Sequence, residues 1–348
     1  MKALRRILVA SIVLLALIAA AGAAAWFWAE RELERPRAFA APVELEVAPG
    51  SSARAVLERL ERDGAIGSAL LARLYLGRVL GDPPIHAGEY RFEPPMSTRQ
   101  VLERLVRGDV VTHPVTVVEG LTLAETAEAL AGAGFGRLER FLAEFSDPRR
   151  IADFDPAAGD LEGYLFPDTY RFPRGASEAA IADALVANFR ARWQHEVAPT
   201  LAAATSTRPP RDLVILASLV EKEARLPAER PLIAAVYANR LARGIGLYAD
   251  PTIIHGLKLE GRWDGNLRRS HLEEDSPWNT YRRAGLPPGP ICSPGAASLA
   301  AAAAPADTPY LYFVSRNDGS HVFAETLAEH NRNVEIWQRR FFRERRSR

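Results

Sequence analysis

Gly50-Ser51-Ser52-Ala53-Arg54-Ala55-Val56-Leu57-Glu58-Arg59-Leu60 aligns without a gap on Pro95-Met96-Ser97-Thr98-Arg99-Gln100-Val101-Leu102-Glu103-Arg104-Leu105. Gly120-Leu121-Thr122-Leu123-Ala124-Glu125-Thr126-Ala127-Glu128-Ala129-Leu130 is a looser third copy. Each copy follows an alternating apolar stretch: Val43-Leu45-Val47, Tyr90-Phe92 and Val115-Val117. Alternation is the period of a half-buried strand. Ser52, Ser97 and Thr122 then stand where a side-chain oxygen satisfies free helix N–H groups, and Gln100 and Glu125 complete capping boxes three residues on. The repeated unit is strand, tight turn, helix. Generic strand–helix punctuation could give any one copy; three in one stretch predict a small α+β module in an α+β protein.

Upstream, residues Ile7 to Trp28 carry no charge. At 1.5 Å per residue this run makes about 33 Å of helix, enough to cross a bilayer. Lys2, Arg5 and Arg6 precede it, which places the N-terminus in the cytoplasm, and Trp26-Phe27-Trp28 end it where an aromatic belt would anchor. A cleaved signal peptide is the rival reading, with Ala21-Gly22-Ala23 as the cleavage site. The run is long for such a peptide, and bulky Trp residues follow that site, so an anchor over residues 1–30 is expected. On either reading the chain after about Arg31 is extracytoplasmic, and no second span is expected. Residues 31–42, charged and containing Pro36 and Pro42, read as a linker.

The remaining composition narrows the function. Lys+Arg is 44 and Asp+Glu 43, giving a net charge of +1 over 348 residues. That balance offers no basic surface for nucleic acid. A single cysteine, Cys292, excludes an internal disulfide and a cysteine zinc site. The length fits an anchor plus about two domains.

Downstream, a helix and then a loop are expected over residues 135–156. Residues 161–173 are aromatic-rich and interrupted by Gly163 and Pro167, so they match neither regular period. Ser177 to Val197 reads as a helix capped by Ser177. Pro231 to Arg243 reads as another, ending at Gly244. Gly285 to Pro294 is a Gly/Pro-dense loop, Tyr310 to Val314 a short strand, and Phe323 to Arg346 a basic-ended helix.

The helix that could carry chemistry is Asp212-Leu213-Val214-Ile215-Leu216-Ala217-Ser218-Leu219-Val220-Glu221-Lys222-Glu223-Ala224-Arg225-Leu226, with Asp212 as its cap and Pro227 marking its end. Its first half is apolar nearly all round and should be buried on several sides. At 100° per residue Glu223 falls on the stripe of Leu216, Leu219 and Val220. Glu221 falls opposite, with Val214, Ala217 and Ser218, and can reach Arg225 at the surface. Glu223 should emerge from an apolar face, where desolvation raises a carboxyl pKa. A carboxyl kept protonated near neutrality can donate a proton to a glycosidic oxygen. The competing role is a structural acid paired with an arginine.

Other candidates are weaker. His255, His271, His321 and His330 lack metal-ligand spacing, so no metal is expected. Cys292 reads as packing. No nucleophile elbow, P-loop or dinucleotide fingerprint occurs, so no cofactor is expected. Trp278-Asn279-Thr280-Tyr281 joins aromatic faces to amide and hydroxyl groups, a mix that sugar sites use.

Several stretches together resemble the endolytic murein transglycosylase (YceG-like) family. They are Leu216 to Ala224, Glu162-Gly163-Tyr164-Leu165-Phe166-Pro167-Asp168-Thr169-Tyr170, Val236-Tyr237-Ala238-Asn239-Arg240-Leu241, Asp250-Pro251-Thr252-Ile253-Ile254, Asn279-Thr280-Tyr281, Gly285-Leu286-Pro287-Pro288-Gly289-Pro290-Ile291, Pro309 to Val314, Gly319 to Phe323, and Glu329-His330-Asn331. The likeness covers nearly the whole chain. It implies a LysM-like module over residues 43–112 and a mixed α+β transglycosylase catalytic domain over 113–348. It places the essential acid on Glu223, the residue chosen by the helical wheel, and offers Asn279, Tyr281 and Asp250 as substrate contacts. Tyr248, where the family pattern has Gln, and His255, where it has Tyr, depart from that pattern.

The activity so implied is cleavage within peptidoglycan glycan strands, at the β-1,4 bond after N-acetylmuramic acid. It leaves 1,6-anhydro ends, at the outer face of the cytoplasmic (inner) membrane. The family likeness also suggests peptidoglycan synthases of the elongation or division machinery as partners. Two rivals remain. One is a hydrolysing muramidase with a second carboxylate, Asp168 or Asp250, to position water. The other is a non-catalytic peptidoglycan-binding scaffold.

Overall fold

A computed structural model describes residues 2–204, 208–341 and 343. The chain divides into two compact units, Met1–His113 with Arg171–Gly175, and Pro114–Tyr170 with Ala176–Arg348.

The first unit begins with α1 (Lys2–Glu34), a helix long and apolar enough to cross a membrane. It continues through β1 (Pro36–Arg37), β2 (Val43–Val47), α2 (Ala53–Arg62), α3 (Ala69–Arg78), β3 (Gly88–Phe92), β4 (Met96–Ser97) and α4 (Thr98–Arg107). β2 and β3 pair antiparallel, with Leu45 opposite Tyr90 and Val43 opposite Phe92, and send alternate side chains inward. Those meet Leu57 and Leu60 of α2, Leu76 of α3, and Val101, Leu102 and Leu105 of α4 in one core. The predicted caps are present: Ser52 accepts from the Ala55 N–H, and Ser97 and Gln100 form a reciprocal box. Such a cap contributes about 1 kcal/mol.

The expected linker is instead built into this unit. α1 runs on to Glu34, Leu33 lies in the core, and β1 pairs with β4. Arg99 of α4 bonds Glu30 and Glu34 of α1 at 2.5 Å each. Apolar Leu33 and this ion-pair pattern on one helix face outweigh the local proline signal.

The chain continues with β5 (His113–Val117), α5 (Leu123–Gly132), α6 (Leu138–Phe145), β6 (Asp168–Phe172), α7 (Glu178–Arg192), α8 (Ala198–Ala203), α9 (Pro210–Glu223), α10 (Arg230–Ala242), α11 (Asp250–Leu259), α12 (Arg269–Glu273), α13 (Ala296–Ala303), β7 (Tyr312–Ser315), β8 (His321–Ala324) and α14 (Leu327–Val334), which belong to the second unit except for His113 of β5 and Arg171 and Phe172 of β6. The third sequence repeat therefore lies largely here, and its capping box of Thr122 and Glu125 is formed. It is tied into this unit by Lys258 Nζ on Glu125 at 2.6 Å and by the Leu123 N–H on the buried Glu162 carboxyl.

α9 is the buried axis of the second unit: every residue from Leu213 to Val220 is buried. It starts two residues before the expected cap, because Pro210 supplies a preset φ at a position where its missing N–H costs nothing. It stops at Glu223, since Ala224 turns to an extended conformation. Around α9 lie α10, α13 and the loop from Gly285 to Pro294. The Ile291 N–H donates to Ser218 Oγ at 3.1 Å, and Cys292 is packed against α9 with no exposed surface. Gly163 has φ +87°, and a Cβ there would lie 2.5 Å from the Pro290 ring, so the aromatic-rich stretch needs glycine at this crossing.

α10 and the β7 strand fall within a few residues of the sequence reading, while α11, α12 and α13 lacked a clear signal. The final expected helix is split. Phe323 belongs to β8, which pairs with β7. α14 begins after Thr326 and widens to π-type turns at Glu335–Arg340. Residues 342 and 344–346 of that expected helix lie outside the described residues.

Candidate active site

The end of α9 opens on a cavity of about 560 Å³ within the second unit. Glu223 lines it because α9 ends there: the next residue leaves the helix, so the carboxyl projects past the packed core into the opening. Crowding by protein atoms raises its pKa to about 7, with the charge of Asp250 adding to the rise. Tyr237 of α10 is a hydrogen-bond partner of the Glu223 carboxyl, which opposes the rise, and its own pKa is pushed well above the ordinary phenol value by burial. Glu223 therefore keeps its proton to higher pH than an exposed carboxyl does, a property that suits proton transfer.

Asp250 and Tyr281 face the same cavity. Tyr281 Oη donates to Asp250 Oδ1 at 2.6 Å, and burial together with this carboxylate raises the phenol pKa. Tyr281 stacks on Tyr248, ring centroids 5.1 Å apart and planes 26° from parallel. Tyr248 is 48% exposed and has φ +54°. A bulky residue in this left-handed region is strained by about 1–3 kcal/mol and persists only where its surroundings hold it. Here the Tyr248 N–H donates to Thr280 O, the neighbouring Ala249 N–H to Thr280 Oγ1, and Arg240 Nη1 to Leu247 O. Tyr248 thus places an exposed aromatic face on the cavity wall.

Arg240 is a charged group of the site that sequence reading did not single out. One turn beyond Tyr237 on α10, it is buried, donates to the carbonyls of Leu311 (2.8 Å) and Leu247 (2.7 Å), and lies over the rings of Tyr248 and Tyr312. Its guanidinium is held by carbonyls and π faces, and its pKa is lowered by burial. Tyr312 and His330, stacked at 5.1 Å, complete this side. The signal that could have found Tyr237 and Arg240 was their i, i+3 spacing on a helix whose other face is aliphatic.

Asn279, expected to touch substrate, does not reach the cavity wall. It is 1% exposed, and its amide donates to the carbonyls of His271, Leu272 and Glu274, the last at 2.7 Å. Its Oδ1 accepts the Tyr281 N–H at 3.0 Å, so Asn279 fixes the loop that carries Tyr281. Trp278 turns to a separate cavity of about 210 Å³ and packs edge-on against His255. Burial lowers the His255 pKa to about 4, so this ring is neutral.

Glu221 also differs from expectation. It is not a surface residue reaching Arg225. Its side chain is 7% exposed, bonds Arg230 at 3.3 Å, and accepts the Gly295 N–H at the start of α13 at 3.0 Å. The segment from 291 to 303, which covers that face of α9, had no strong periodicity to announce it. Asp168, a candidate second carboxylate, sits on β6 against Asn188 and Arg192 and is not part of the cavity. Glu162 is another buried acid with a raised pKa, about 8, but both of its oxygens are committed to the Leu123 N–H.

The model of the YceG-like family matches residues 45–336, and the chain belongs to that family. Among its relatives, the endolytic murein transglycosylase of Bacillus subtilis (strain 168) is 30% identical over 308 residues, covering 84% of both chains. The protein of the same name from Streptococcus pneumoniae serotype 2 is 29% identical over 325 residues, and the match spans 84% of this chain and 58% of that longer one. The crystal structure of a yceG-like protein from Listeria monocytogenes is similar with a TM-score of 0.56 and 30% identity, covering 84% of this chain and 99% of the other.

Proposed function

We propose that this protein is a peptidoglycan lytic transglycosylase that cuts within glycan strands, with Glu223 as its single acid and base. One observation carries the reading: a carboxyl held near pKa 7 at the wall of a cavity that also presents tyrosine faces, a carboxylate and an arginine. The names of the relatives support the substrate class.

The chemistry follows from that carboxyl. Protonated Glu223 gives its proton to the bridging oxygen of the β-1,4 bond between N-acetylmuramic acid and N-acetylglucosamine. The C1–O bond breaks with oxocarbenium character. The Glu223 carboxylate then takes the proton of the muramyl 6-hydroxyl, whose oxygen attacks C1 and closes the 1,6-anhydro ring. The leaving sugar keeps the first proton, the acid regains the second, and no water is consumed. Repulsion from Asp250 serves both halves, because a reluctant anion is also a stronger base. Tyr248 offers a face for a sugar ring, Asp250 and Tyr281 offer hydroxyl partners, and Arg240 offers positive charge to an acidic or carbonyl group of the substrate.

The setting extends the proposal. α1 crosses the inner membrane with Lys2, Arg5 and Arg6 on the cytoplasmic side, leaving the catalytic domain (residues 113–348) extracytoplasmic. The strand–helix units of residues 43–112 act as a LysM-like module that holds glycan. Cutting beside synthases of the elongation or division machinery would end growing strands.

Mass spectrometry of glycan digested by the purified protein tests the reaction. Anhydromuramyl ends, one water lighter than reducing ends, are expected from the wild type and absent with Glu223→Gln. Reducing ends would overturn the mechanism in favour of a muramidase using Asp250. Undiminished cutting by Glu223→Gln would move the acid elsewhere, and no cutting by either protein would favour a scaffold.

A further inference from the structure

α3 has two unlike faces. Ala72, Tyr75 and Leu76 are buried in the first unit's core, whereas Leu70 is 70% exposed and Leu74, one turn later, 51%. Val79 and Leu80 extend this apolar strip beyond the helix end. Arg73 and Arg78 flank it, and neither is paired with a carboxylate among the described residues. Contiguous exposed apolar residues of this kind mark an interaction surface.

α1 says what covers it. A groove of about 330 Å³ separates the two helices, and its walls include Gly22, Ala25 and Trp26 from α1 and Leu71, Leu74 and Val79 from α3. Gly22 lies six residues before Trp28, the end of the uncharged run, and therefore about 9 Å deeper along the helix axis. α3 is thus beside the last turns of the apolar run, not beyond them. The Arg99 contacts to Glu30 and Glu34 and the burial of Leu33 fix this placement.

We infer that α3 is a second membrane contact, lying in the outer interface of the bilayer. Leu70, Leu74, Val79 and Leu80 enter the acyl boundary, Arg73 and Arg78 meet lipid phosphates, and the groove takes an acyl chain. An exposed apolar strip edged by arginines binds lipid in this way: the apolar side chains leave water for the acyl boundary while the guanidinium heads stay at the phosphates. The inference rests on α1 spanning the membrane, and the experiment separates the two.

The full chain is reconstituted in phosphatidylethanolamine–phosphatidylglycerol vesicles, with an environment-sensitive fluorophore at Leu74→Cys, at Leu14→Cys in the span, or at Glu44→Cys on the outward face of β2. Cys292 is fully buried and stays unlabelled. Quenching by nitroxide lipids is compared with quenching by aqueous iodide. At Leu74 the nitroxide effect should exceed the iodide effect several-fold, with the reverse at Glu44. A Leu74 probe quenched by iodide and untouched by nitroxide overturns the inference, as does one shielded from both, which would point to a second protein copy. A Leu14 probe that nitroxide does not reach would instead sink the spanning reading of α1.

Discussion

Glu221 and Glu223 stand two residues apart at the end of α9 and meet opposite surroundings. Glu221 is clasped by Arg230 and the α13 N-terminus; Glu223 faces a cavity with Asp250 and Tyr237. The same amide substitution should therefore have opposite consequences. Glu221→Gln leaves Arg230 without its buried partner and should lower stability by about 3 kcal/mol or more. Glu223→Gln removes a charge the fold disfavours and should leave stability unchanged or higher, while lowering the cutting rate by about 10²–10⁴-fold. Denaturant melts and product release, measured on both variants, check the pair.

The sign of the pH effect can be stated. The Glu223 pKa is raised in the fold, to about 7 from 4.5. Its proton is held more tightly folded than unfolded, so its contribution to stability is fully present below about pH 4.5 and is lost as pH rises toward 7. The melting temperature of Glu223→Gln relative to wild type should accordingly increase between pH 5 and pH 8. A difference that is flat across this range would show that Glu223 is not desolvated.

Tyr237→Phe should move the activity profile. The Tyr237 hydrogen bond favours the charged carboxylate, so removing it raises the Glu223 pKa further. The alkaline limb of the pH–rate profile should shift upward. A limb that stays in place while the rate falls would mean that Tyr237 serves only the shape of the cavity.

Asn279→Ala should act through its neighbours. Three partly buried carbonyls lose their donor and the Tyr281 N–H its acceptor, at a cost of about 1–3 kcal/mol. Tyr281→Phe, which removes only the hydroxyl on Asp250, should keep the fold and weaken turnover. A thermal melt of each variant beside its kcat and KM distinguishes positioning from contact.

Local signals in the sequence were reliable where the chain makes its own partners. Ser52, Ser97, Thr122 and Ser177 cap the helices they precede because capping is settled within three residues. The wheel separated Glu223 from Glu221 because the helical period is fixed. It could not foresee Glu221's partner, since Gly295 is 74 residues away in a segment of alanines. Asn279 was misjudged for the same reason: its chemistry suits a sugar, but three carbonyls of its own loop claim the amide first. Tyr248 stood out only as a departure from the family pattern and Arg240 not at all, because their value lies in meeting each other, and they come from a loop and a helix with no shared period.

On the proposed reading of α1 as a membrane span, Leu33, sealed in the first unit's core at the end of an unbroken helix, leaves no free joint at the lipid boundary. Bilayer thickness then becomes a mechanical input. A span longer than the local hydrocarbon layer tilts to fit, and with no slack residue to absorb the rotation, the first unit must lean with it like a mast on a rolling hull.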